Sequence, residues 1–209
     1  MDVADFVARH LPKPKAQILE LGCGDGELAV ALAEQGHLVT AIDPKAPTGS
    51  IFRRVALEDF DETKGFDAVV ANRSLHHVQD LTAALEKIHS LLRAGGVLIL
   101  NEFAWDQMDE PTAHWYLTQV DDPGPEDTSL LPENFPEMWI AEHDGLHPSS
   151  VMREQLAEHF VTQLFEWTPY ISPYYLKRND LEAEEARLIE DGQIRGVGFR
   201  YVGEGLPGR

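Results

Sequence analysis

The chain has 209 residues, 43% hydrophobic and 25% charged, which suits one soluble domain with an elaboration. Its formal charge of −19 repels phosphate backbones and anionic lipid, so neither nucleic acid nor a membrane surface is expected as a partner. No apolar run reaches the length of a membrane span, residues 1–10 hold two aspartates and no hydrophobic signal core, and Cys23 is the single cysteine; a cytoplasmic protein without an internal disulfide or a cysteine-built zinc site is expected.

Residues 2–11 read as a short leading helix, closed by Pro12-Lys13-Pro14. A strand is predicted over 18–21, followed directly by Gly22, Gly24 and Gly26 and by a helix over 27–35. A second strand covers 38–42 and ends on Asp43; further strands are predicted over 51–55, 68–71 and 97–100. Most of these runs are too continuously apolar to have a wet face, the mark of a parallel sheet covered by helices on both sides. Leu81, Leu85, Ile88 and Leu92 recur at helical spacing over 81–92 before the Ala94-Gly95-Gly96 stop. The connections at 44–50 and 58–65, flanking the third strand, leave little room for full helices, so the sheet is trimmed on that side.

The texture changes over 103–148, which reads as an insertion or lid: six prolines, a helix-like stretch at 111–120, eleven Asp and Glu residues, and no Lys or Arg. Trp105, Trp115 and Trp139 all lie in it. Aromatic faces beside carboxylates suit a small cationic, amine-bearing or aromatic ligand; a solvated acidic loop held down by its aromatics is the plainer reading. His114, His143 and His147 are the lid's candidates for a general base. Glu142 to His147 also offers oxygen and nitrogen donors, yet no regular spacing sets them on one side, and no metal is expected. Regular structure resumes with a helix over 149–159, a strand over 161–167, a charged helix over 180–190 and a last strand over 194–202. Tyr170, Tyr174 and Tyr175 sit between them and suit edge packing.

A glycine-rich turn between a buried strand and a helix lets a ligand approach the backbone, and the exposed amides there favour an anionic group. A phosphate-gripping loop would end in Gly-Lys-Ser/Thr, which is absent, and a dinucleotide fingerprint would need glycine at 27, where Glu27 stands. What remains is acid-x-Gly-x-Gly-x-Gly from Glu20 to Gly26, with Asp43 at the end of the next strand, where a carboxylate can accept both hydroxyls of a ribose. Cys23, inside the turn, suits packing rather than nucleophilic attack.

The segments Leu-Glu-Leu-Gly-Cys-Gly-Asp-Gly, Val-Thr-Ala-Ile-Asp-Pro, the run from Gly65 to Val78 and the run from Leu91 to Phe103 together resemble the ordered motifs of the class I S-adenosylmethionine-dependent methyltransferases, over residues 17–102. The resemblance implies an α/β, Rossmann-like three-layer sandwich: a mostly parallel seven-stranded sheet in the order 3-2-1-4-5-7-6, last strand antiparallel, with the acidic lid 103–148 inserted after strand 5 of a single domain, 1–209. It implies that Glu20 and the backbone of Gly22, Cys23 and Gly24 hold the methionine portion of S-adenosylmethionine. Asp43, followed by Pro44, would bind the ribose, Leu57 and Glu58 would flank the adenine, and Asn72 would line the methionine side. Ala56 stands where many relatives carry an aspartate for the adenine amine, leaving Glu58, Asp59 or the backbone to serve. By the same resemblance His76 and His77 sit where a turn begins a helix, a structural place more often than a catalytic one. The function implied is methyl transfer to a small molecule by a monomer or homodimer. The alternatives are a non-catalytic S-adenosylmethionine-binding module and a nicotinamide oxidoreductase, the latter disfavoured by Glu27.

Overall fold

A computed structural model describes residues 1–61, 65–120 and 135–206. Strands β1 (Gln17–Leu21), β2 (Leu38–Ile42), β3 (Phe52–Arg53), β4 (Phe66–Asn72), β5 (Leu92–Phe103), β6 (Phe160–Thr168) and β7 (Gly198–Gly205) form one sheet in the order β3-β2-β1-β4-β5-β7-β6. The first five pair in parallel, while β7 runs antiparallel to both β5 and β6. This is the expected architecture and strand order. The carboxyl ends of β1, β2 and β4 fall in register, Leu21 opposite both Ile42 and Ala71. The order reverses between β1 and β4, so the crevice for a ligand opens beyond these strand ends.

Helices α1 (Val3–His10) and α2 (Glu27–Glu34) cover one face of the sheet, where Phe6, Leu32, Ile18, Val70 and Ile99 pack together. On the other face α3 (Leu81–Leu91) and α6 (Ser149–His159) bury Leu85, Ile88, Met152 and Leu156 against Leu19, Val69 and Leu98. Asp80 caps α3 by accepting from the Ala83 amide at 3.0 Å, and Leu81, Leu85 and Ile88 then bury one stripe of it. With helices on both faces the central strands carry apolar residues pointing to both sides, which is why they read as nearly continuous apolar runs.

Some bounds move. Only two residues of the expected third strand form β3, because just Ala41 and Ile42 lie opposite to pair with it and Arg54 turns away to donate to the Ala46 carbonyl at 2.7 Å. Strand β5 starts at Leu92, earlier than its apolar run suggests, and passes through Gly95 and Gly96 with a register shift opposite β4. Strand β7 begins at Gly198 rather than 194, because the Ile194 amide still closes the end of α7 (Glu182–Glu190) on Leu188. In the expected lid, α4 (Glu110–Thr118) matches the helix-like stretch, and α5 (Phe135–Glu142) is a second helix that its prolines concealed. Residues 121–134, with five of the eleven acidic residues, lie outside the described residues.

Beneath α4 and α5 lies a third cluster, built on Phe103, Trp139, Tyr170, Ile171 and Val197. A π-type turn, Ile171–Leu176, supplies part of it. Buried Glu185 on α7 fixes that turn by accepting from the amides of Tyr170, Ile171 and Ser172 at 3.0, 3.0 and 2.7 Å. Among the described residues no helix is long and apolar enough to cross a membrane.

Candidate functional site

The chain leaves β1 through Gly22, Gly24 and Gly26, whose φ angles of 65°, 50° and 83° lie in the left-handed region. At Gly22 any Cβ would collide with the Ser74 side chain, and at Gly26 with the ring of Phe52. The amides of Gly22 and Cys23 donate to the Ile42 carbonyl at 2.9 and 3.1 Å, binding the turn to the end of β2. Asp43, the next residue, receives the Gly24 amide on Oδ2 at 3.2 Å and the Lys45 amide on Oδ1 at 2.7 Å. The turn and the carboxylate are thus one rigid unit, and each carboxylate oxygen keeps a further lone pair. Cys23 is 7% exposed, and burial, helped by the charges of Glu20 and Asp43, pushes its thiol up to about 12; it is inert packing.

Two adjoining recesses open here. One, of about 450 Å³, is lined by Glu20, Gly22, Cys23, Gly24 and Asn72, with Arg73, His76 and Tyr170 across from them. The other, of about 340 Å³, is lined by Asp43, Pro44, Leu57 and Glu58, with Val55 and Leu75. Gly22, Arg73 and His77 belong to both. The nine residues expected around an adenosyl ligand are therefore divided between these two recesses. Ala56 and Glu58 line the second recess, while Asp59 is not among its lining residues.

Glu20 is 2% exposed, and burial raises its carboxyl from the usual carboxylate range to about 8. The Ala29 amide lowers it only in part. Its Oε2 is buried without a partner, an expensive state for a polar atom that a cationic group in the recess would relieve. An orphaned acid beside a turn that admits no Cβ at Gly22 or Gly26 fits the amino-acid end of S-adenosylmethionine.

The exit from β4 forms the opposite wall. Arg73 takes φ 55°, unusual for a non-glycine residue, and its guanidinium lies 4.3 Å from the Tyr174 ring centroid. Glu102, 1% exposed near the end of β5, organises this turn. Its Oε1 accepts from the amides of Ser74 and Leu75 at 2.9 and 2.7 Å, and its Oε2 accepts from His76 Nδ1 at 2.5 Å. Asn72 Oδ1 accepts from Asn101 Nδ2 at 2.9 Å. Glu102 did not stand out in the sequence. The signal was there, however: an acid just beyond the apolar run 97–100 at the carboxyl edge of the sheet, as Asp43 follows β2.

The three lid histidines are placed elsewhere, and none is among the residues lining either recess. His143 is buried with both nitrogens committed, Nδ1 donating to the Trp139 carbonyl and Nε2 accepting from the Tyr175 hydroxyl, each at 2.6 Å. His147 Nε2 donates to the Val78 carbonyl at 2.8 Å, and its amide donates to the His76 carbonyl at 3.0 Å, tying the segment before α6 to the β4 exit. His114 lies on α4, 3.9 Å from Glu110. Of the lid's described acids, Asp106 receives the amides of Ser149 and Ser150 at the start of α6; burial would raise its carboxyl, and the Ser149 and Ser150 hydrogen bonds outweigh this and hold it below its usual range. Asp109 caps α4 and pairs with Arg195 at 3.0 Å.

A doubly covered, mostly parallel sheet with a glycine turn after β1 and an acid after β2 defines a nucleotide-type cofactor fold of the Rossmann-like class. A family profile described as methyltransferase domain matches residues 2–160, and the chain belongs to that family. An uncharacterized methyltransferase of Mycobacterium tuberculosis is 34% identical over 116 residues, 48% of this chain and 56% of that protein. A ubiquinone biosynthesis O-methyltransferase of Xanthomonas campestris is 35% identical over 112 residues, 46% of this chain and 47% of that protein. The matched stretch thus spans about half the length of these curated relatives. Among solved structures, the Burkholderia thailandensis 1,6-didemethyltoxoflavin-N1-methyltransferase, with its substrate and S-adenosylhomocysteine, shares the fold at TM-score 0.59 and 20% identity, over 97% of this chain and 76% of that one.

Proposed function

We propose that the protein binds S-adenosylmethionine across the two recesses and transfers its methyl group to a small molecule. The observation that carries this reading is that Glu20 and the Gly22–Gly24 backbone line one recess and Asp43 lines the adjoining one, at the point where the strand order reverses. Glu20 and the glycine turn hold the methionine end, with Asn72 beside it. Asp43 accepts the ribose hydroxyls. Leu57 and Glu58 flank the adenine, whose amine meets Glu58 or backbone in the absence of an aspartate at Ala56. Family membership and the methyltransferases that share the fold support the same reading.

When bound, the cofactor supplies an activated methyl carbon; the chain has to align a nucleophile behind it and keep water out. In the described part of the lid, α4 and α5 cover the aromatic cluster beneath them and serve that purpose. An aromatic acceptor suits this wall, since Tyr170 lines the first recess and stacks on Phe103 at 4.5 Å. The amine-bearing acceptor suggested by the lid's charge has less support: Asp106 and Asp109 are spent on helix caps, and the charged group across from the glycine turn is Arg73.

Calorimetric titration of the full chain with S-adenosylmethionine, S-adenosylhomocysteine and NAD tests the reading. Saturable binding of the first two and none of the third is expected; binding of NAD alone, or of none, contradicts it. Transfer of labelled methyl to a small acceptor then separates an enzyme from a module that only binds the cofactor.

A further inference from the structure

We infer that Arg73 is the counter-ion for the carboxylate of S-adenosylmethionine, a place that the amides of the glycine turn leave unfilled. The inference rests on the reading above that the cofactor occupies the two recesses, and it assigns a partner to the one anionic group the cofactor carries. A glycine turn at a helix start ordinarily receives an anion on its uncommitted amides. Here those amides are spent inside the fold. Gly22 and Cys23 donate to the Ile42 carbonyl at 2.9 and 3.1 Å, Gly24 to Asp43 at 3.2 Å, and Gly26 to the Cys23 carbonyl at 2.8 Å. The side chains on this wall are no better suited: Asp25 and Glu27 line the same recess, so a carboxylate held against them would meet like charge.

The opposite wall supplies the missing charge. Among the described residues Arg73 is the one Lys or Arg that lines either recess, and it lines both. His77 does not compete, because burial, then the charge of His76, holds its imidazole below the ordinary value. The Arg73 amide donates to the Asn101 carbonyl at 2.8 Å, which pins the strand exit from which the side chain springs. Its guanidinium lies over the ring of Tyr174, whose centroid is 4.6 Å from that of Tyr170, a residue of the recess lining. The charge is felt there: burial raises the Tyr170 hydroxyl, and Arg73 offsets this in part. Arg73 is exposed, and among the described residues no carboxylate pairs with it. A planar fork stacked by one face keeps its N–H edges open for a bidentate hold on a carboxylate. The amino-acid end of the cofactor then spans the recess between unlike partners, its ammonium with Glu20 and its carboxylate with Arg73.

The test is calorimetric titration of the full chain with three ligands: S-adenosylhomocysteine, S-adenosyl-3-thiopropylamine, which lacks only the carboxylate, and 5′-methylthioadenosine, which lacks the whole amino-acid end. The wild type is expected to bind S-adenosylhomocysteine about 10-fold or more tightly than the amine analogue. Arg73→Gln should weaken S-adenosylhomocysteine by about 10- to 100-fold and the other two ligands by less than about twofold. Arg73→Lys, which keeps the charge without the fork, should restore part of the loss. Equal weakening of all three ligands would make Arg73 a structural residue and overturns the proposal. Unchanged affinity of Arg73→Gln for S-adenosylhomocysteine, or a wild type that binds it no better than the amine analogue, overturns it as well. Should Arg73→Gln fail to fold, Arg73→Lys decides: a loss of about threefold or more confined to S-adenosylhomocysteine supports the assignment, and no loss or an equal loss on all three ligands refutes it. A wild type that binds none of the three overturns the reading beneath it instead.

Discussion

Asp43 and Glu20 are both acids at strand ends, yet their surroundings give them opposite properties. Asp43 is held by two amides, so an arriving ribose finds a prepared acceptor. Asp43→Ala should weaken S-adenosylhomocysteine binding by about 1.5–3 kcal/mol, read by titration calorimetry; unchanged affinity would place the ribose elsewhere. Glu20 keeps its proton up to about pH 8 when folded, whereas the unfolded chain loses it in the usual carboxylate range. Between those limits the native state binds more protons, so Glu20 makes stability fall as pH rises, and the effect levels off above about pH 8. A cationic amine or sulfonium beside it reverses the preference and expels the proton. Titrating S-adenosylmethionine at neutral pH in buffers of different ionisation enthalpy should therefore show release of about one proton, and Glu20→Gln should abolish it. Equal release by both proteins would remove Glu20 from the ligand's surroundings. These two acids were legible because they sit in motifs of fixed spacing. His76 and Glu102 were not: they lie 26 positions apart, and only the pairing of β4 with β5 brings them together.

Among the elements, those governed by their own apolar pattern were readable to within a residue or two, as with β1, β2, α3 and α6. Those governed by a partner were not. β3 is as short as the two positions β2 offers it, and β7 starts where α7 releases the chain. The π-type turn is the extreme case, since its shape is set by Glu185 from a helix further along the chain. Replacing Glu185 by Ala would leave three amides without acceptors, and we expect a loss of about 3 kcal/mol or more in urea unfolding, with a smaller loss for Glu185→Gln. A loss below about 0.5 kcal/mol would show that the turn holds itself.

For the molecule as a whole, charge and fold pull in different directions. A net charge of −19 opposes compaction everywhere at once. Added salt screens this repulsion, and raising sodium chloride from low to about 0.5 M should raise Tm by about 2–4 °C, roughly 1 kcal/mol for a chain of this size. A fall in Tm would mean that ion pairs such as Asp67 with Lys13 and Arg93 outweigh the general repulsion. The sheet resolves the conflict locally by gathering its strand ends at one edge, where a glycine turn and two acids line two adjoining recesses. The most direct measurement is a crystal structure of the full chain grown with S-adenosylhomocysteine. The account predicts ribose hydroxyls on the Asp43 carboxylate and the amino-acid end over Gly22–Gly24 beside Glu20. Density for the compound anywhere else, or both recesses empty at saturating concentration, would contradict it.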